Sequence, residues 1–197
     1  MVLDSTLPPA TDRRVRRSRA ALMAAAVTLV TEQGTADVPV AAIAEAADVS
    51  RRLLYQQFGD RETLLLEAAL DLARRDLLPR LDQTSGTEAI GARTLAIALH
   101  MATHRAVYRA LLTSPCAFAL TRALNRLFLP ANRMNVREAY GESLDERTSE
   151  DLAAFLSGGW GDFIFTWVVE GPETLDAEEF AARLARTRAA LFATEAS

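Results

Sequence analysis

The chain has 197 residues, half of them apolar and 24% charged. That composition suits a soluble globular protein with a sizeable core and excludes a largely disordered chain. A net charge of −4 excludes nucleic-acid binding by bulk charge alone, and a single cysteine, Cys116, excludes an intramolecular disulfide framework or a cysteine zinc cluster.

The charge is unevenly spread. Residues 1–61 carry eight arginines against seven acids, and the remainder carries fourteen against nineteen. There is no lysine, and five arginines fall between positions 13 and 19. A local basic patch, not the global balance, is therefore the electrostatic footprint of interest. The apolar stretch that follows this patch continues in helical register to Gly34, so it reads as a helix and not as an export signal. One cysteine fits a reducing cytoplasm, and a cytoplasmic protein is expected.

Residues 1–12 read as a flexible arm containing Pro8-Pro9. A first helix is expected over 14–33, with Leu22, Ala25, Ala26, Leu29 and Val30 as its apolar stripe and Gly34 as its C-cap. A short helix over 40–46 follows Pro39. Residues 47–49 form a turn, and Ser50 caps a third helix ending near Gln57. Asp60 caps a fourth helix running to about Leu78, stopped by Pro79. Residues 82–87 are a polar loop. Further helices are expected over 87–103, 105–112, 117–129, 131–140 and 149–170, with breaks at Pro115 and Pro130 and an end at Gly171-Pro172. Asp176 caps the last helix, to about Phe192. No stretch alternates with the period of a strand. The expected fold is all-α: a three-helix N-terminal helix-turn-helix module over 13–60 on a larger helical bundle over 61–197, about nine helices in all. Residues 152–169 are apolar enough to tempt a membrane reading, but Asp162, Ser157 and three glycines favour a helix buried in a core or an interface. No membrane partner is expected.

The informative stretch is 40–65, VAAIAEAADVSRRLLYQQFGDRETLL. Its first short helix turns Val40, Ile43 and Ala44 inward, and Val49 and Leu54 point back to the same small core. Arg51, Arg52, Leu53, Gln56 and Gln57 then face out. A recognition helix needs this division: an apolar back for positioning and a hydrogen-bonding front for base edges. Arginine takes guanine bidentately and glutamine takes adenine. Ser50, the Tyr55 hydroxyl and Arg61 suit phosphates, as do Arg16 and Arg17 in the basic run.

These residues resemble the signature of the tetracycline-repressor-like (TetR) family. Ile43-Ala44, Ala47-Asp48-Val49-Ser50, Leu54-Tyr55-Gln56-Gln57-Phe58, Arg61 and Leu64-Leu65 carry the likeness over about a quarter of the chain. The departures are Pro39, where the family usually has a capping threonine, Asp48 for a turn glycine, and Arg52-Leu53 for Gly-Thr. The resemblance implies a homodimeric, ligand-responsive regulator that binds a palindromic double-stranded DNA operator, with a repressor released by a small-molecule effector as the family's habit.

In the body, His100, Met101, His104, Tyr108, Phe118, Phe128, Phe163 and Trp167 are candidate lining for an effector pocket, and most also stand at core spacing. His100 and His104, one turn apart, lack the third ligand a metal site needs, so no metal is expected. Glycines inside a helix are unfavourable unless another backbone approaches closely. Gly158, Gly159 and Trp160, with Phe180, Leu184, Thr187 and Leu191 on the final helix, are therefore the expected dimer face, a four-helix bundle across a twofold axis. No nucleophile–base pair, phosphate loop or paired carboxylates point to an enzyme, and no cofactor is expected. The competing reading, motivated by Pro39 and Asp48, is a helical ligand-binding protein whose reader no longer recognises DNA.

Overall fold

A computed structural model describes residues 10–82, 89–141 and 143–192, with side chains over 13–81, 90–141 and 143–190. The described residues form helices and turns, with no strand among them. In order these are α1 (Ala10–Gln33), α2 (Val40–Ala46), α3 (Arg51–Phe58), α4 (Arg61–Asp76), α5 (Leu78–Asp82), α6 (Ala89–Thr103), α7 (Arg105–Leu112), α8 (Ala117–Tyr140), α9 (Glu146–Glu170) and α10 (Ala177–Phe192). Apart from the single-turn α5, nine helices remain. The expected arm lies mostly outside the described residues.

Local chemistry sets most helix ends. Gly34 adopts φ 66° and its N–H closes on the Val30 carbonyl at 2.9 Å, ending α1. Side chains of Ser50, Asp60, Asp145 and Asp176 each accept from the backbone N–H three residues on, at 3.2, 2.7, 3.0 and 2.9 Å. Each cap satisfies an N–H that the first helical turn leaves without a partner. The cap at Asp145 starts α9 three residues earlier than its apolar pattern suggests.

Two prolines act differently from their sequence reading. Pro79 does not terminate a helix running to Leu78; α4 ends at Asp76, and Pro79 sits in the first turn of α5, where its missing N–H costs nothing. Pro130 does not divide two helices but lies inside the continuous α8. The half beyond it is tied to α9 on two sides. Asn132 donates to Ser157 Oγ at 2.8 Å, and Arg133 meets Glu150 at 2.8 and 2.5 Å. These contacts and the packing of Val136 against Ala153 and Leu156 offset the one lost backbone bond.

One apolar core runs through the chain, from Leu22, Ala26 and Val30 of α1 through Leu54, Leu64 and Ala69 to Tyr108, Leu120, Val168 and Phe180. Helix α4 is shared: it packs on α1, α7 and α8. Helix α9 is long and apolar enough by composition to cross a membrane, yet it packs along α8 and buries Ala153, Leu156, Ile164, Trp167 and Val168. It is a core helix. Its C-terminal carbonyls are gathered by one side chain: Arg105, at the start of α7, donates to Val168, Gly171, Pro172 and Glu173 carbonyls at 3.0, 2.7, 2.5 and 2.7 Å. A cation there also complements the negative end of the helix dipole.

Candidate nucleic-acid interface

Helices α2 and α3 are joined by a tight turn. Ala47 and Asp48 N–H groups bond to the Ile43 and Glu45 carbonyls, and Val49 N–H bonds to Ala44, each at 3.0 Å. The turn requires a left-handed residue, and Asp48 supplies it at φ 51°. Aspartate tolerates that conformation better than most side chains, so the glycine expected there can be dispensed with. Pro39 occupies the N-cap of α2 in extended conformation and makes no side-chain cap. Ile43, Ala44, Leu54 and Phe58 are buried, fixing α3 by its apolar back.

The front of α3 presents Arg51, Arg52, Tyr55 and Gln56 to solvent, and Tyr55 is 52% exposed. Leu53 is half-buried at the edge of this face. Arg16 and Arg17 lie exposed on α1. Two expected members are turned to other work. Gln57 does not face out: its amide donates to Ser18 Oγ at 2.8 Å and its carbonyl accepts from Arg19 at 2.9 Å. Arg61 is held by Asp37 at 2.6 Å and reaches Glu62 at 3.3 Å, and these acids raise its pKa. Ser50 serves as the α3 cap.

Arg19 has a role that its sequence position did not single out. It lies over the Phe58 ring, bonds the Gln57 carbonyl and pairs with Glu67. It thereby ties α1, α3 and α4 together. In sequence it is one of five clustered arginines, and only the fold separates it from its exposed neighbours.

The body holds a cavity of about 430 Å³ between α6, α8, α9 and α10. Of the expected pocket residues, Met101 and Phe128 line it. The other six do not. Phe118 is 72% exposed. Phe163 lies beside Phe180, under the Arg183 guanidinium, and Trp167 stacks on Phe180 with centroids 4.1 Å apart. His100, His104 and Tyr108 form a separate group against α4, His100 and Tyr108 buried and His104 half-buried. His100 Nε2 is 2.8 Å from the Tyr108 hydroxyl, which donates to the Ala69 carbonyl at 3.3 Å, and His104 sits 3.5 Å from Asp76. Burial, reinforced by the neighbouring His104, pulls His100 down to about 4, so the ring is neutral at pH 7. Burial likewise lowers His104, against the opposing pull of Asp76. Burial raises the Tyr108 hydroxyl. Helical spacing alone could not tell this network from a pocket wall. Among the described residues no group of three or more His, Cys, Asp or Glu is arranged to hold a metal.

The expected dimer face is also redistributed. Phe180 and Leu184 are buried within the protomer, Phe180 by its stack with Trp167, and are not free to meet a partner. Leu184 and Trp160 line the body cavity. Thr187 is half-buried and bonds back to the Arg183 carbonyl, and the side chain of Leu191 lies outside the described residues. Gly158 and Gly159 are exposed with open space at their Cα atoms, whereas Gly161 is the glycine under close approach: a Cβ there would stand 2.5 Å from Asn125 Oδ1.

No curated protein is significantly similar to the chain. Residues 22–68, which span the second half of α1, the whole α2–turn–α3 unit and the first half of α4, match the family described as bacterial regulatory proteins, tetR family. The chain therefore carries an N-terminal DNA-binding domain of the kind found in that family's transcriptional regulators, and α2–α3 is its helix-turn-helix.

Proposed function

We propose that the protein is a cytoplasmic, non-enzymatic repressor that acts as a homodimer on a palindromic operator and is released by a small-molecule effector. The observation that carries this reading is the coexistence of an outward-facing α3 with a largely apolar cavity in the body of the same chain. In this proposal 13–60 is the reader and 61–197 the sensing and dimerisation region, with α4 as the connector. Arg51, Arg52, Leu53, Tyr55 and Gln56 meet base edges or adjacent phosphates, and Arg16 and Arg17 meet the backbone. Arg61 takes part by exchanging Asp37 for a phosphate.

Dimerisation is proposed through the open face of α9. Phe155 is 73% exposed there, one turn before the uncovered Gly158 and Gly159. An apolar side chain beside a glycine surface allows two helices to approach closely across a twofold axis. An effector switches the dimer only if it binds the DNA-competent and released conformations with different affinity.

The direct test is footprinting on the DNA that flanks the protein's own gene, followed by a genome-wide binding profile. Sequence-selective protection is expected, and its absence in both settings would sink the reading. Arg52→Ala should change base preference, while Arg17→Ala should weaken all sites alike and lower the salt slope by about one. Phe155→Arg should convert a dimer to a monomer in light scattering.

A further inference from the structure

The body cavity is mostly apolar, with Ile97, Met101, Phe128 and Ile164 among its walls. Its charges are of one sign. Arg93 and Arg188 line it, and among the described lining residues none is acidic. Arg93 is only 4% exposed. It donates to Asn135 at 2.7 Å and reaches Glu138, which does not line the cavity, at 3.5 Å. On α6 the lining residues pass from Arg93 and Thr94 to Ile97 and Met101, a rise of about 12 Å from first to last.

Asn135 and Glu138 offset the cost of burying the Arg93 guanidinium and hold it in place in the cavity wall, so a positive charge stands pre-positioned there. The planar guanidinium fork matches a carboxylate, and a second arginine adds positive potential in a site of low dielectric. We infer that the cavity binds an apolar small molecule carrying one carboxylate, with the carboxylate against Arg93 and the apolar part along Ile97 and Met101. This inference rests on reading the cavity as a ligand site and assigns that site its ligand class.

The test is calorimetric titration of the full chain with decanoate and 2-naphthoate below micellar concentrations, against decanol and 2-naphthalenemethanol. At least one carboxylate should bind, roughly tenfold to hundredfold tighter than its neutral counterpart. Arg93→Gln should abolish that preference, and Arg93→Lys, which keeps the charge without the fork, should retain part of it. If Arg93→Gln does not fold by circular dichroism, the same reduction in preference is read from Arg93→Lys and Arg188→Gln. The inference is overturned if neither carboxylate binds, if the alcohols bind equally well, or if the preference is undiminished in folded Arg93→Gln or, where that variant does not fold, in both Arg93→Lys and Arg188→Gln. DNA release is scored separately. Carboxylate binding without release overturns the sensing reading alone, and release by the alcohols without carboxylate preference overturns this inference alone.

Discussion

The guanidinium of Arg19 lies 4.1 Å from the centroid of the Phe58 ring. Phe58 is the last residue of the recognition helix, and Arg19 also holds the carbonyl beside it and pairs with Glu67 on α4. One side chain of α1 therefore fixes the far end of α3 against two other helices. Arg19→Ala should lower stability by about 1–2 kcal/mol, from the lost cation–π contact and charge-assisted bonds. Arg19→Lys should recover little, because an ammonium cannot stack and bond the carbonyl at once. Chemical denaturation gives the stability. DNA affinity should fall more steeply than stability predicts, because α3 loses its fixed orientation.

Asp48 and the turn it forms give a second test. At φ 51° a β-branched residue is strained, so Asp48→Val should cost about 1–2 kcal/mol. Asp48→Gly should be neutral within about 0.5 kcal/mol, since relief of strain and loss of backbone entropy oppose each other. Thermal melts of the two variants separate them. A valine variant as stable as the parent would show that the turn is not held in the left-handed region.

The glycines of α9 should divide by position. Gly161→Ala pushes a methyl against Asn125 and should cost about 1–3 kcal/mol, with a change in the shape of the cavity that Asn125 lines. Gly158→Ala and Gly159→Ala meet open space in the protomer. Each should strengthen the helix by about 0.5–1 kcal/mol in a monomeric background such as Phe155→Arg. In the parent background the same changes should weaken the proposed dimer, which analytical ultracentrifugation measures.

The buried His100 makes stability depend on pH. Its folded pKa of about 4 lies below the model-peptide value of 6.5, so the folded state favours the neutral ring. The stabilisation is complete above about pH 6.5 and is lost progressively as the pH falls toward 4. Its full size is of the order of 3 kcal/mol, from the burial of the ring against Tyr108. His100→Gln, which keeps a donor for the Tyr108 hydroxyl, should flatten the unfolding free energy between pH 6.5 and 4. An unchanged slope would assign the dependence to other groups, His104 with Asp76 first among them.

What the amino-acid sequence determined by itself was local: helix period, caps at Ser50, Asp60 and Asp176, the stop at Gly34, and a reader whose inward and outward residues alternate at fixed spacing within nineteen positions. Those features depend on residues a few places apart, and short-range spacing is what a sequence displays directly. The tertiary structure decided the rest. It turned Gln57 inward to Ser18 and gave Arg19 a structural role. It gathered His100, His104 and Tyr108 against α4 and left Phe118 in solvent. It buried Phe180 on Trp167, and it carried α8 through Pro130. It also assembled the cavity from Arg93, Phe128, Ser157 and Arg188. An apolar or aromatic residue at helical spacing has the same signature whether it faces a core, a cavity or a partner. Only the placement of helices distant in sequence distinguishes the three.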